Sequence, residues 1–168
     1  VKLVAASSLT EAELARARQI YFDGFAPHLR ASFDDDLLAD TALVLVDAKP
    51  LGLAVLRVLA DTGWVYLRYF TVGEKGRGLG ARLWTHLRDE MTVAGYTRII
   101  YDVEDPAQPG IGPAAELVRH RRIAFYQRIG AVLAVYEHRY GMAATDPVVA
   151  ETLRLSGLSY SRADPTFQ

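Results

Sequence analysis

The spacing of apolar residues changes character several times along the chain, and each change marks an element. Lys2 to Ala6 can form a first strand, and Thr10 followed three residues later by Glu13 reads as a capping box opening a helix. Leu14, Ile20, Tyr21 and Phe25 then recur at helical spacing until Pro27 stops the pattern. A second short helix is expected after Ser32, with Leu37 and Leu38 inward and Asp34 to Asp36 near its positive end.

From Thr41 the pattern turns to runs rich in Val, Leu and aromatics: Ala42 to Asp47, Leu53 to Val58 and Val65 to Val72. The joints Lys49-Pro50-Leu51-Gly52 and Asp61-Thr62-Gly63 have hairpin chemistry, so three antiparallel strands are the economical reading. Gly78 to Ala94 returns to helical period, with Leu79, Leu83, Leu87 and Met91 on one stripe and Gly95 as a C-terminal stop. Tyr96 to Val103 is a strand again, and a strand, helix, strand succession predicts that it pairs in parallel with the strand before the helix. The loop Asp105 to Pro113, rich in proline and glycine, belongs on the surface. Ala114 to Ile129 is the next helix, ended by Gly130, and Ala131 to Tyr140 and Val149 to Tyr160 read as two closing strands. The expectation is an α+β fold: a mixed, mostly antiparallel central sheet with helices on both faces, in one domain over 1–168.

Composition narrows the function classes. A net charge of −1 calls for neither nucleic acid nor a membrane surface as partner. No apolar stretch reaches the ~20 residues of a membrane span, and the first residues lack a signal peptide's apolar region, so a cytoplasmic address is the default. The chain has no cysteine, which removes disulfides, thiolate metal sites and a cysteine nucleophile together. The four histidines, at 28, 86, 120 and 138, show no metal-ligand spacing, so no metal is expected.

The strongest chemical signal is Val72-Gly73-Glu74-Lys75-Gly76-Arg77-Gly78-Leu79-Gly80, running from a strand straight into a helix. The first N–H groups of a helix lack internal acceptors and sit at its positive end, so an anion is the natural occupant. Glycines let backbone approach phosphate oxygens, and Lys75 and Arg77 add mobile cations. A diphosphate fits this description. One reading is a dinucleotide fingerprint, Gly76-x-Gly78-x-x-Ala81 with Asp102 some twenty residues on, but that motif wants the first strand of a parallel sheet rather than the end of an antiparallel meander. The other reading takes Lys75-x-x-Gly78-x-Gly80 as the core of a coenzyme turn.

With that turn, Tyr69-Phe70-Thr71-Val72 before it, and Phe125-Tyr126-x-x-x-Gly130 at the later helix end, the chain resembles the GNAT superfamily of acetyl-coenzyme-A-dependent N-acetyltransferases. The resemblance implies a bulged strand that splays from its parallel neighbour and opens a wedge. Backbone groups of Phe70, Thr71 and Val72 would then line the pantetheine and acetyl, with the Val72 N–H donating to the thioester oxygen. Lys75, Gly76, Arg77, Gly78, Leu79, Gly80 and Ala81 would cradle the diphosphate, with Lys75 standing where the family usually has arginine or glutamine. Tyr126 would supply a proton or hydrogen bond to the leaving thiolate. Arg119 and Arg122 stand where the family often has asparagine and alanine, and a coenzyme phosphate or solvent would be their partner. The first two helices would border the acceptor site, and aspartates there would favour a cationic acceptor.

The chemistry sets demands of its own. An alkylammonium with pKa ~10.4 is below about 0.1% neutral at pH 7, which puts roughly 4 kcal/mol or more on the barrier unless a base or water takes the proton. Tyr66 and Arg68 project on the side of the family's usual base, and neither is one, whereas Asp102 and Glu104 alternate onto one face of the following strand. Glu104 is the first candidate to receive the amine's proton. Proton transfer from an ordinary tyrosine to a thiolate is uphill by about 2 kcal/mol, so Tyr126 would act by hydrogen bonding or after acidification by an arginine. The sequence therefore points to direct attack by a primary amine on acetyl-coenzyme A in a ternary complex. A non-catalytic acyl-coenzyme-A-binding module of the same fold is the alternative. The sequence leaves the acceptor, the acyl length and a homodimer open.

Overall fold

A computed structural model describes residues 1–59, 62–96 and 98–131. Contacts group the chain into two compact units, 1–100 and 101–168. The expected strands at 131–140 and 149–160 lie outside the described residues.

The first unit is a five-stranded sheet in the order β1-β2-β3-β4-β5, with β1 Lys2–Ala5, β2 Thr41–Asp47, β3 Lys49–Val58, β4 Trp64–Val72 and β5 Arg98–Ile100. All pairs are antiparallel except β4 with β5, which is parallel as the intervening helix requires. Helix α1, Glu11–Gly24, opens with both halves of the capping box: the Glu13 N–H donates to Thr10 Oγ1 and the Thr10 N–H to the Glu13 carboxylate. Its Ala17 and Tyr21 pack with Phe33 and Leu37 onto the sheet face formed by Ala42, Val44, Val46, Leu53 and Val55. Residues of opposite parity point to the other face. There Gly52 comes against Leu83 of α2, Leu79–Val93, whose stripe of Leu79, Leu83, Leu87 and Met91 is buried. Helices thus cover both faces.

Helix α2 stops as its sequence predicts. The Gly95 N–H donates to the Thr92 carbonyl and the Tyr96 N–H to the Met91 carbonyl, which satisfies two orphan acceptors of the last turn.

Two expectations are corrected. No regular helix follows Ser32. The Ser32 hydroxyl and Asp35 bond reciprocally, as at a helix start, but the next backbone bonds span four, five, five and then three residues and the segment ends as a single tight turn, Leu37–Ala39. Asp34 and Asp36 are drawn to arginines elsewhere in the chain instead of serving a helix terminus. The first hairpin reverses at Ala48, a left-handed residue with φ 56°, and not over Lys49 to Gly52. Lys49 and Pro50 already pair with Asp47 and Val46, and Leu51 is the extra residue of a bulge before Gly52 pairs with Leu45. Pro50 is tolerated there because β4 pairs with β3 only from Gly52 onward.

In the second unit the described residues form a loop over 101–112, half-buried at Tyr101, Val103 and Glu104 and exposed over 107–110, ordered locally by an Asp105 carboxylate that accepts from the Ala107 N–H, and helix α3, Pro113–Arg128. This helix also ends on a left-handed glycine, Gly130, with the Gly130 N–H on the Gln127 carbonyl and the Ala131 N–H on the Tyr126 carbonyl.

Candidate functional site

The end of β4 and the start of α2 make the glycine turn. The last tie to β3 is the Gly73 N–H donating to the Leu51 carbonyl at 2.9 Å. Gly76 and Gly78 then hold φ of 80° and 70°, conformations that a side chain would strain, and a Cβ at either position would meet nothing within 4 Å. The glycines are therefore needed for backbone shape in an open place, not for packing. Gly78 is the N-cap of α2, and the first bond of the helix is the Arg82 N–H on the Gly78 carbonyl at 3.1 Å. Among the described residues, no hydrogen bond engages the N–H groups of Gly76, Gly78, Leu79, Gly80 or Ala81. Five donors at the positive end of a 15-residue helix are thus left for an outside acceptor.

The strand leading into this turn is irregular where the resemblance implies. Val55 pairs with Tyr69 and Leu56 with Leu67, so Arg68 is the extra residue of a bulge in β4. The parallel ladder to β5 ends at Tyr66 with Ile100, while β4 runs on to Val72. Phe70, Thr71 and Val72 are paired with Ala54, Leu53 and Gly52 on their β3 side. On their other side no strand lies among the described residues. The half-buried Phe70 ring packs edge-on against Trp84 of α2, with 6.2 Å between centroids.

Arg68 belongs to an ion network that sequence reasoning missed. Its Nη1 donates to Asp40 at 2.5 Å and its Nη2 to Asp36 at 2.9 Å, while Arg57 donates to Asp40 through Nε at 2.6 Å and Nη2 at 2.9 Å. Burial opposes the Arg68 charge, but its hydrogen bonds and attraction to Asp36 and Asp40 outweigh that and fix it as a cation. Arg68 therefore takes no proton from an acceptor. The other aspartates are engaged too, Asp34 by Arg18 and Asp35 by Ser32. With each carboxylate already matched, the three aspartates lose their value as a signpost to a cationic acceptor.

In the second unit the Tyr126 ring leans on Tyr101, with 4.3 Å between centroids. Burial raises the Tyr126 pKa above the ordinary phenol value and a Tyr101 charge would push the same way, while Arg122 pulls weakly against them. The expected acidification by an arginine is thus overruled by burial, and the phenol stays protonated as a hydrogen-bond donor. Tyr101 is itself pushed up to about 12 by burial. Glu104 is not a bare carboxylate: Oε1 accepts from Arg119 Nη2 at 3.1 Å and Oε2 from Arg122 Nη1 at 2.6 Å. Arg119 also donates to the Asp105 carbonyl and to Gln108 Oε1. Residues three apart on one helix face thus clamp the 104–108 segment, which replaces the solvent or phosphate partner expected for them. The basic run at 119–122, following the acidic segment of Asp102, Glu104 and Asp105, was the available signal.

Among the described residues no helix is long and apolar enough to cross a membrane. No protein-family model and no curated protein matches the chain by sequence. Solved structures do match. An aminoglycoside acetyltransferase from an uncultured soil metagenomic sample aligns with a TM-score of 0.55 at 16% identity, over 84% of this chain and 94% of its own. The ribosomal-protein-S18-alanine N-acetyltransferase of Escherichia coli aligns with a TM-score of 0.54 at 19% identity, over 83% and 82%. A protein of Bacteroides thetaiotaomicron assigned to the GNAT acetyltransferases aligns with a TM-score of 0.53 at 21% identity, over 77% and 71%. At these identities the likeness is one of fold.

Proposed function

We propose that this chain, which has the fold of the GNAT acetyltransferases, moves an acetyl group from acetyl-coenzyme A to a primary amine. The observation that carries the reading is the set of unengaged N–H groups from Gly76 to Ala81 at the head of α2. They suit a diphosphate, with Lys75 and Arg77 as flanking cations. Backbone groups of Phe70, Thr71 and Val72, on a strand whose parallel partner has ended, suit the pantetheine amides and the thioester oxygen. With no cysteine to carry the acetyl group, the amine attacks the thioester carbon directly. As the tetrahedral intermediate collapses, the protonated Tyr126 phenol donates to the leaving sulfur.

Proton removal from the amine is the demanding step. Glu104 holds two guanidinium groups, so taking a proton would cost it one of those bonds. Water, or the small neutral fraction of the amine, serves the reaction better. The alternative of a coenzyme-binding module without turnover draws its support from Arg68, a fixed cation on the strand side where this fold commonly carries its base. Cytoplasmic location goes with either reading.

Thiol release from acetyl-coenzyme A with a panel of amines separates the two. An enzyme releases thiol with at least one amine, and Tyr126→Phe lowers turnover on the order of 10²-fold while coenzyme affinity holds. Full activity in that variant would remove Tyr126 from the mechanism.

A further inference from the structure

The glycine turn carries an acidic residue of its own at the point where cations gather. Glu74 Oε2 accepts from Arg77 Nη1, and its Oε1 lies 3.9 Å from Lys49 Nζ at the start of β3. Arg16 of α1 reaches the same place, its Nη2 being 3.5 Å from where a Cβ on Gly73 would lie. Cations from a helix, a strand end and the turn thus converge on one carboxylate, next to the positive end of α2. Arg16 and Lys75 make no ion pair among the described residues, so cationic charge is in excess around a single anion. The Glu74 carboxyl is held below the usual carboxylate range, first by the Arg77 hydrogen bond and further by the charges of Arg77, Lys49 and Arg16.

We infer that Glu74 is a built-in competitor for the coenzyme: its carboxylate occupies Arg77 and Lys49 in the free protein and must release them to an incoming phosphate. This rests on the proposed coenzyme site and adds to it a residue that sets affinity without belonging to the binding set. An exposed ion pair is weak and screened by solvent, so the competition is modest and readily reversed.

Calorimetric titration of the full chain tests it with coenzyme A, 3′-dephospho-coenzyme A and inorganic pyrophosphate as probes. Glu74→Gln should bind coenzyme A roughly two- to fivefold more tightly than wild type, the range of one surface ion pair. Most of the gain should be lost when Arg77→Gln is added, because the cation that Glu74 holds by a hydrogen bond is then gone and only the longer Lys49 contact is left to compete for. A gain shared by all three probes assigns the competition to the diphosphate, and a gain with coenzyme A alone assigns it to the 3′-phosphate. Equal or weaker binding by Glu74→Gln overturns the inference and leaves the coenzyme site standing. Failure of both proteins to bind coenzyme A overturns the site and the inference together.

Discussion

Replacing Asp40 by alanine isolates the network that anchors the bulged strand. Asp40, 8% exposed, accepts three charged hydrogen bonds, two from Arg57 and one from Arg68. Without it Arg68, 11% exposed, keeps Asp36 as its one carboxylate partner among the described residues and has little access to water. Losing a hydrogen bond between buried charged groups costs about 1.5–3 kcal/mol. Arg57 is 30% exposed and can turn to solvent, so its share is discounted to about 0–1 kcal/mol. The sum is about 1.5–4 kcal/mol out of a total stability on the order of 5–15 kcal/mol, and the variant should fold but unfold at lower urea. Adding Arg68→Met removes the stranded cation and should recover part of the loss. A urea midpoint shift for Asp40→Ala corresponding to less than about 1 kcal/mol would mean that Arg68 is solvated rather than dependent on Asp40.

Acid should weaken the same network. The Arg68 hydrogen bond lowers the Asp36 pKa in the folded chain, so its contribution is complete above the unfolded value near ~3.9 and is lost as pH falls through the folded one. Stability measured from pH 6 downward should decline below about pH 4, and more shallowly in Asp36→Asn. Gly24 ends α1 against β4, where an added Cβ would lie 2.2 Å from Thr71 Oγ1 and 2.9 Å from Thr71 Cβ. Gly24→Ala should therefore cost about 1–3 kcal/mol in thermal or urea unfolding, and a silent substitution would mean that α1 and β4 are further apart than described.

What could be read from the sequence was local. The capping box of Thr10 and Glu13, the stripe from Leu79 to Met91, and the glycine stops at Gly95 and Gly130 each depend on residues within a turn or two, and they formed as expected. The parallel pairing of β4 with β5 followed from element order alone. What could not be read depended on partners far away. Asp36 finds Arg57 and Arg68, and no spacing rule near Asp36 announces either, so a helix was expected where the aspartates are pulled into a network. Ala48 reversed the first hairpin because the register of Val46 with Pro50 overrode the turn preference of Lys49 to Gly52. At the site, the glycine turn was legible because glycine at positive φ leaves few alternatives. The engagement of Glu104 by Arg119 and Arg122 was not, since carboxylates and arginines pair in many ways that sequence leaves equal.

The most direct test watches the backbone amides by heteronuclear magnetic resonance as coenzyme A is added. The N–H resonances of Gly76, Gly78, Leu79, Gly80 and Ala81 should move together and saturate at one affinity, as donors meeting a diphosphate would. Those resonances staying in place through the titration would contradict a diphosphate site there.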